Sequence, residues 1–168
     1  VWADGSSNDD TECSDNDRTI FRSAGGFYIY TDNSAPPSGL YLAGGGSSWN
    51  THSDREAKEN VQPVDARDVV ARLAGIPITT WNYKSQDPSI RHIGPMAQEF
   101  NTLVDGLGGE GETYINSLDA DGGALVAIQG LYQLSQEQAA RIEELELQNS
   151  DLEARLTALE QEAASRSP

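Results

Sequence analysis

Residues 128–159 read IQGLYQLSQEQAARIEELELQNSDLEARLTAL, and mostly apolar side chains recur in this stretch at alternating intervals of three and four residues. When Ile128 is placed at position a of a heptad, the register holds over five repeats. We therefore predict a helix of about 40 residues from Asp121 onward. Its a positions are Ile128, Ser135, Ile142, Asn149 and Leu156, and its d positions are Leu131, Gln138, Leu145, Leu152 and Leu159.

This helix is predicted to associate with copies of itself. About 36 residues at 1.5 Å each extend for roughly 54 Å, which is longer than a surface helix needs to cover so small a domain. The polar residues in the a and d seam can select register and oligomer order, but they do not by themselves distinguish two strands from three. Ion pairs between helices are expected from g to e positions, Arg141 to Glu146 and Arg155 to Glu160.

Short strands are predicted upstream of the helix, between residues 19 and 49. Three short strands bury too little surface to be stable alone, so this segment reads as the end of a longer β-structure that other layers or chains complete. The glycine run at 44–46 is interpreted as slack after the last strand. The predicted strands are Thr19–Phe21, Phe27–Tyr30 and Leu40–Leu42, which are separated by Gly-, Pro- and Asn-rich turns.

The first 17 residues are predicted to form a solvated acidic loop. They contain six carboxylates and no basic residue before Arg18. Asp15-Asn16-Asp17 offers alternate oxygen donors for calcium, but the spacing of a full EF-hand loop is missing. The chain begins Val1-Trp2-Ala3-Asp4, without an initiator Met and without the basic and apolar regions of a signal peptide, which suggests an excised fragment.

The composition excludes several functional classes. The 168 residues carry 11 Lys and Arg against 27 Asp and Glu, a formal charge of −16. Binding to nucleic acid or to anionic membranes needs clustered basic side chains, so neither partner is expected. No apolar run reaches the roughly 18 residues of a membrane span. With Cys13 as the one cysteine and only two histidines, neither an intrachain disulfide, a metal site nor a cofactor is predicted.

A small α+β unit is predicted over residues 53–118. Asp65 is expected to cap a helix that Gly75 ends in the left-handed conformation, and Pro95 is expected to open a second helix. Trp81 and Tyr83 are interpreted as core side chains on one strand face, with contact to the upstream β-segment as the alternative. His92 is interpreted as a structural or exposed residue. The predicted apolar helix positions are Ala66, Val69, Val70 and Leu73, then Met96, Phe100 and Leu103–Val104; the predicted strands are 76–83, 90–93 and 113–115, the last preceded by a loop at 106–111.

The segment Ser53-Asp54-Arg55-Glu56-Ala57-Lys58-Glu59-Asn60 places a serine and a lysine five residues apart. A serine hydroxyl can act as a nucleophile with a lysine amine as its general base, provided that burial or a neighbouring positive charge keeps the amine neutral near pH 7. Spacing alone does not establish such chemistry, because serine and lysine are both common on protein surfaces.

The wider pattern adds further motifs in a fixed order. Ser-Asp-Arg-x-x-Lys-Glu-Asn is followed by Pro63-Val64, a short helix, WNYK at 81–84, GPMAQEF at 94–100 and ALVAIQGL at 124–131. This order resembles the C-terminal intramolecular chaperone domain of endosialidase type, an auto-cleaving peptidase module of phage tail spikes, tail fibres and neck appendages. The resemblance runs from about Trp49 to Leu159. Gly94-Pro95-Met96 departs from the commoner Gly-Phe-Ile or Gly-Leu-Ile, and Gly130, where Glu is frequent, is expected to loosen one helical turn.

The resemblance implies a module that trimerises, aligns three copies of an upstream β-fibre, and then cuts itself off between His52 and Ser53. It implies that Ser53 is the nucleophile and Lys58 the general base, with Asp54, Glu59 and Asn60 in supporting roles. Attack by Ser53 on the preceding carbonyl and attack across a trimer interface both stay open. An oxyanion donor could come from Asn60 or a backbone N–H, and the His52 imidazole could assist.

The overall prediction is an α+β fold in three parts: residues 1–52 as the end of a β-rich fibre segment, 53–120 as an auto-processing chaperone core, and 121–168 as a helix in a trimeric coiled coil. The expected partners are two further copies of the chain and its own upstream segment. The resemblance places the protein in a phage tail fibre or a fibre-like bacterial protein. The alternative is a non-catalytic trimeric stalk that stays attached to the fibre.

Overall fold

The α+β class is confirmed by the computed structural model, which describes residues 2–3, 19–103 and 113–166. The chain divides into two compact units, residues 1–62 and 63–168. Residues 4–17 of the predicted acidic loop with its candidate calcium ligands and Cys13, and also Val104 and the loop at 106–111, lie outside the described residues. Trp2 and Ala3, which were predicted as part of that loop, form a short strand instead. In the described ranges, no helix is long and apolar enough to cross a membrane.

Short strands make up most of the regular structure in the described part of the first unit. β1 (Trp2–Ala3) pairs in parallel with β2 (Phe21–Arg22), and β3 (Gly26–Tyr30), β4 (Gly39–Ala43) and β5 (Trp49–Thr51) form an antiparallel sheet in that order. β3 and β4 lie within one residue of their predictions, whereas β2 begins two residues later than predicted. β5 was not predicted: the glycine run is a turn between two paired strands, closed by a hydrogen bond from Gly46 N to the Ala43 carbonyl, and not slack.

This sheet buries none of its side chains fully. Within residues 19–62 every side chain is exposed or half-buried, and the exposed ones include several large aromatic groups. A three-stranded sheet without a covering layer is marginal by itself. The exposed aromatic side chains are Phe21, Tyr28, Tyr30 and Trp49.

Residues 63–103 and 113–166, the described part of the second unit, contain three helices and a two-stranded sheet. Its elements are α1 (Ala66–Ala74), β6 (Thr79–Trp81), β7 (His92–Gly94), α2 (Ala97–Leu103) and α3 (Ser117–Arg166), and β6 pairs antiparallel with β7. Asp65 caps α1 as predicted, since its carboxylate accepts hydrogen bonds from the backbone N–H groups of Arg67 and Asp68.

Several predicted boundaries in this unit were wrong. Gly75 lies in the right-handed region, at φ −86°, and is not left-handed. β6 begins only at Thr79, and Pro77 just before it has no N–H for a ladder. β7 begins at His92 because the N–H of Ile90 closes a turn onto the Asp87 carbonyl.

The ends of α2 and α3 also differ from prediction. Pro95 precedes α2, whose first hydrogen bond runs from Phe100 N to the Met96 carbonyl. Residues 113–115 are not a strand; the Tyr114 carbonyl accepts a hydrogen bond from the Asn101 side chain instead. α3 begins four residues before the predicted Asp121, because the Asn116 side chain accepts a hydrogen bond from the N–H of Leu118 and caps the helix there.

α1 packs antiparallel against α3. Leu73 lies beside Gly123, Val70 and the Ala66 backbone lie against Gly130, and Arg67 forms an ion pair with Glu137. Gly130 is buried in a continuous helix, so the prediction of a loosened turn was wrong: the missing side chain permits close approach of α1. Gly123, Gly130 and Glu137, the contact points on α3, are all at position c of the heptad register.

The core of the second unit is small. Among the described residues, the buried apolar side chains are Ala66, Val69, Ile76 and Phe100, with Leu73, Ile115 and Ala120 packed against the last two. The apolar seam of α3 is instead exposed. Since position c lies about 130° around the helix from the middle of the a and d seam, α1 leaves that seam uncovered. Its exposed members are Ile128, Leu131, Ile142, Leu145, Leu152, Leu156 and Leu159.

Candidate functional site

The Ser53–Asn60 motif begins directly after β5. Leu40 pairs with Thr51 at the end of the β4–β5 ladder, and the N–H of His52 then donates to the Gly39 carbonyl at 2.9 Å. His52 is thereby held at the end of the sheet. The bond between His52 and Ser53, which is the predicted cleavage site, is the first peptide bond beyond this last hydrogen bond.

A single 3₁₀ turn at Arg55–Ala57 reverses the chain between the serine and the lysine. Asp54 caps this turn, because its carboxylate accepts a hydrogen bond from the N–H of Glu56 at 3.0 Å. The N–H of Lys58 donates to the Arg55 carbonyl at 3.0 Å and closes the turn. The backbone therefore returns toward its starting point over five residues.

The turn brings the predicted nucleophile and base together. Lys58 Nζ donates to Ser53 Oγ at 2.5 Å within the same chain. Both side chains are exposed in this single chain. The arrangement places an amine in direct contact with a hydroxyl that itself lies one residue after a peptide carbonyl.

The predicted supporting residues are arranged differently. Asp54 acts on the backbone as a cap. Asn60 adopts a left-handed conformation, at φ 55°, which Asn tolerates better than most residues. Glu59 is exposed, and in the described part of the chain neither Glu59 nor Asn60 hydrogen-bonds to the Ser53–Lys58 pair. The role of Gly39 was not predicted, because a backbone carbonyl on a neighbouring strand leaves no local sequence signal.

The loop between β3 and β4, which leads into Gly39, is organised by Asp32. Its carboxylate accepts hydrogen bonds from the Ser34 hydroxyl at 2.9 Å and from the N–H groups of Ser34 and Ser38 at 3.1 Å. Hydrogen bonds from the side chains of Ser38 and Ser34, followed by those from their backbones, lower the pKa of Asp32 to about 2. The charged carboxylate is therefore the form that fits this loop.

A second cluster of side chains lies in the other unit, around β6 and β7. The His92 ring lies against Trp81 at a centroid distance of 4.7 Å, and Tyr83 meets Trp81 edge-on at 4.9 Å. The ring nitrogen Nε2 of His92 lies 2.9 Å from Gln86 Oε1, which agrees with the structural role predicted for this histidine. Tyr83 lies beyond the end of β6 and is exposed, so its interpretation as a core residue was wrong. Among the described residues, no cluster of His, Cys, Asp or Glu suitable for a metal ion is present.

Comparison with known families identifies the segment that starts at the serine. Residues 53–109 match the model of the Peptidase_S74 family, whose description is chaperone of endosialidase. The match begins at Ser53 and covers the 3₁₀ turn, α1, β6, β7 and α2. The resemblance inferred from the motifs is thereby confirmed over residues 53–109, which are similar to the chaperone-of-endosialidase family.

Proposed function

We propose that this chain is an intramolecular chaperone that trimerises, aligns an upstream β-fibre, and cleaves itself between His52 and Ser53. The observation that carries this proposal is the 2.5 Å contact between Lys58 Nζ and Ser53 Oγ, one residue after the scissile carbonyl. The family match supports it, because the family is named as a peptidase and described as a chaperone, and the match begins at this serine.

The reacting groups are this pair, the His52 carbonyl and water. Ser53 Oγ attacks the His52 carbonyl carbon through a five-membered ring while its proton passes to the neutral amine of Lys58. The bond between the His52 carbon and the Ser53 nitrogen breaks, and Lys58 returns the proton to the leaving nitrogen. Water then hydrolyses the ester, which restores the serine hydroxyl and leaves a carboxylate on His52. Because the contact lies within one chain, attack in cis is favoured over attack across an interface.

Assembly provides the condition under which Lys58 acts as a base. The pair is exposed in a single chain, whereas a lysine needs burial or a nearby cation to be neutral near pH 7. A neighbouring chain that covers the pair would supply the burial. Self-cleavage would then follow trimer formation, so that only assembled chains are cut.

The proposed assembly surface is the a and d seam of α3. Seven large apolar side chains of this seam, the first of which are Ile128 and Leu131, are 41–62% exposed, and α1 does not cover that face. Each such side chain contributes on the order of 1 kcal/mol or more when a partner helix buries it. Arg141 and Arg155 pair within their own helix in the single chain, with Glu144 and Asp151, so both are placed to exchange these partners for residues of a neighbouring helix.

The chaperone role follows from the needs of the upstream strands. The β3–β5 sheet buries no side chain fully, so it needs further layers or chains. Joining three chains at one end raises the effective concentration of their strands and fixes their stagger. The family is associated with phage tail proteins, and we place this chain in such a fibre or in a fibre-like bacterial protein.

Substitution of each reacting residue tests the proposal. Ser53→Ala and Lys58→Ala are expected to abolish cleavage, as seen by mass spectrometry of the purified chain, without loss of helix content by circular dichroism. Ser48→Ala and Lys84→Ala are matched controls, because both residues are exposed and outside the motif; they are expected to be cut at the wild-type rate. Cleavage that persists in either alanine variant of the pair would refute the proposed mechanism.

The alternative function is a trimeric stalk that stays attached to the fibre. The exposed seam supports this reading as well, since a coiled coil serves either role. Sedimentation equilibrium combined with intact mass distinguishes the two: an uncut trimer favours the stalk, and a cut trimer favours the chaperone. A dimer would contradict both.

A further inference from the structure

We propose that the β3–β5 sheet is itself part of the self-cleavage site. The hydrogen bond from the His52 N–H to the Gly39 carbonyl presents the scissile bond, so that cleavage requires β5 to be paired on β4. This inference rests on the proposed self-cleavage and extends it to a substrate-positioning element that lies outside residues 53–109, the part that matches the family.

The pairing of β5 ends one residue before the scissile bond. Along the ladder Leu42 faces Trp49, Tyr41 faces Asn50 and Leu40 faces Thr51, and the His52–Gly39 hydrogen bond continues this register. His52, whose carbonyl is attacked, is therefore the last residue tied to the sheet. Ser53, the nucleophile, is the first residue in the turn. The two reacting groups lie on either side of the point where the strand ends.

Gly39 is constrained at this point. Its φ is +155°, and a side chain there would collide with the Ile29 carbonyl and approach the Tyr30 Cα to 3.0 Å. No L residue with a Cβ fits without displacement of β3. The Gly39 carbonyl, which accepts the His52 N–H, thus belongs to a residue that β3 packs against closely. The position of this carbonyl depends on all three strands.

Positioning of this kind affects the rate of an intramolecular attack. The Ser53–Lys58 turn is closed by its own hydrogen bonds, so it holds the nucleophile and base without the sheet. The sheet adds control over the other reactant, the His52 carbonyl, whose rotation determines whether it meets Ser53 Oγ in a reactive geometry. The physical consequence is a checkpoint: a chain whose last upstream strands are unpaired keeps its Ser–Lys pair but is cut slowly.

One added residue separates these effects. A glycine inserted between Thr51 and His52 keeps the His52–Ser53 bond and the whole Ser53–Asn60 motif, but moves the bond out of register with Gly39. The matched control is one glycine inserted between Ser47 and Ser48, in the exposed β4–β5 loop, which leaves the strands in register. The first insertion is expected to slow cleavage at least about tenfold, and the control by less than about twofold.

A strand that contains an inserted residue can pair again in a shifted register. A second pair of variants therefore removes the same hydrogen bond without an insertion. His52→Pro removes the N–H that Gly39 accepts, whereas His52→Ala keeps it and removes only the imidazole. Cleavage is expected to be at least about tenfold slower in the proline variant than in the alanine variant, which is the reference for loss of the imidazole. Rates are measured by mass spectrometry on the fraction that sediments like the wild-type chain, so misfolded protein does not contribute.

The outcomes identify which proposal fails. If the wild-type chain is not cut at all, the proposed self-cleavage is refuted, and this inference with it. If the wild-type chain is cut and the Thr51–His52 insertion is cut as fast as the Ser47–Ser48 insertion, positioning by the sheet is refuted while self-cleavage stands. Equal cleavage rates in the two His52 variants would also refute positioning by the sheet, while self-cleavage stands.

Discussion

Substitution of Gly130 by alanine tests the packing of α1 on α3, which supports the second unit. A Cβ at this position would lie 2.7 Å from Val70 Cγ2 and 2.9 Å from the Ala66 carbonyl carbon, and it would collide with the Ala66 carbonyl oxygen. Ordinary contacts of a Cβ begin near 3.4 Å. α1 therefore has to move away by more than half an ångström, and its backbone cannot yield as a flexible side chain would.

The expected magnitude follows from two opposing effects. Replacement of glycine by alanine inside a helix stabilises the helix by about 1 kcal/mol. Overpacking of a tight contact costs about 1–3 kcal/mol. Gly122 lies in the same helix, and a Cβ added there would meet nothing within 4 Å, so Gly122→Ala gains the first effect without the second. We expect the free energy of unfolding of Gly130→Ala to lie about 1–3 kcal/mol below that of Gly122→Ala.

The assay is urea unfolding followed by circular dichroism, with both variants in the uncut Ser53→Ala background. Protein concentration is matched, because the stability of an assembly depends on it. Neither glycine is at an a or d position of the heptad register, so neither substitution enters the seam. If Gly130→Ala stabilises the protein as much as Gly122→Ala does, the close approach of α1 to α3 is wrong.

Three further predictions concern the turn, the seam and the β3–β4 loop. Asp54→Ala is expected to slow self-cleavage about 3- to 10-fold in the same mass assay, because the cap on the 3₁₀ turn is lost. Asp54→Asn still accepts a hydrogen bond and is expected to keep most of the rate. Equal losses in the two variants would argue against the cap. Leu152→Asp, at a d position, is expected to weaken trimer association at least tenfold by sedimentation equilibrium. Leu147→Asp, at the exposed f position, is expected to leave association unchanged. Equal effects of the two substitutions would contradict the register. Hydrogen bonds from Ser38 and Ser34 lower the pKa of the Asp32 carboxyl in the folded chain from its ordinary 3.8 to about 2, so its stabilisation is present above pH 4 and is lost as pH falls toward 2. Acid unfolding followed by tyrosine fluorescence checks this, and Asp32→Asn removes that pH dependence.

The elements that depend on local patterns were predictable from the sequence. Asp65 precedes an amphipathic run and caps α1 as expected, and the heptads of α3 lie in one continuous helix. The contact between Ser53 and Lys58 also follows from a local turn of five residues. In each case the residues that determine the structure are near neighbours in the chain.

The elements that depend on distant partners were not predictable. β5 exists because Trp49–Thr51 pairs with β4, and nothing in its own short sequence distinguishes it from a loop. Gly130 resembles a weak point in a helix until α1 lies against it, and Gly39 resembles a turn glycine until His52 bonds to its carbonyl. Asp54 was expected only in a supporting role, and its hydrogen bond to the N–H of Glu56 caps the turn.

The most direct test of self-cleavage is the intact mass and N-terminal sequence of the freshly folded wild-type chain. Self-cleavage predicts two products, residues 1–52 and residues 53–168, with a new amino terminus at Ser53, and a single uncut species for Ser53→Ala. A wild-type chain that persists at its full mass of 18.1 kDa while assembled as a trimer, or one that is cut elsewhere, would contradict it.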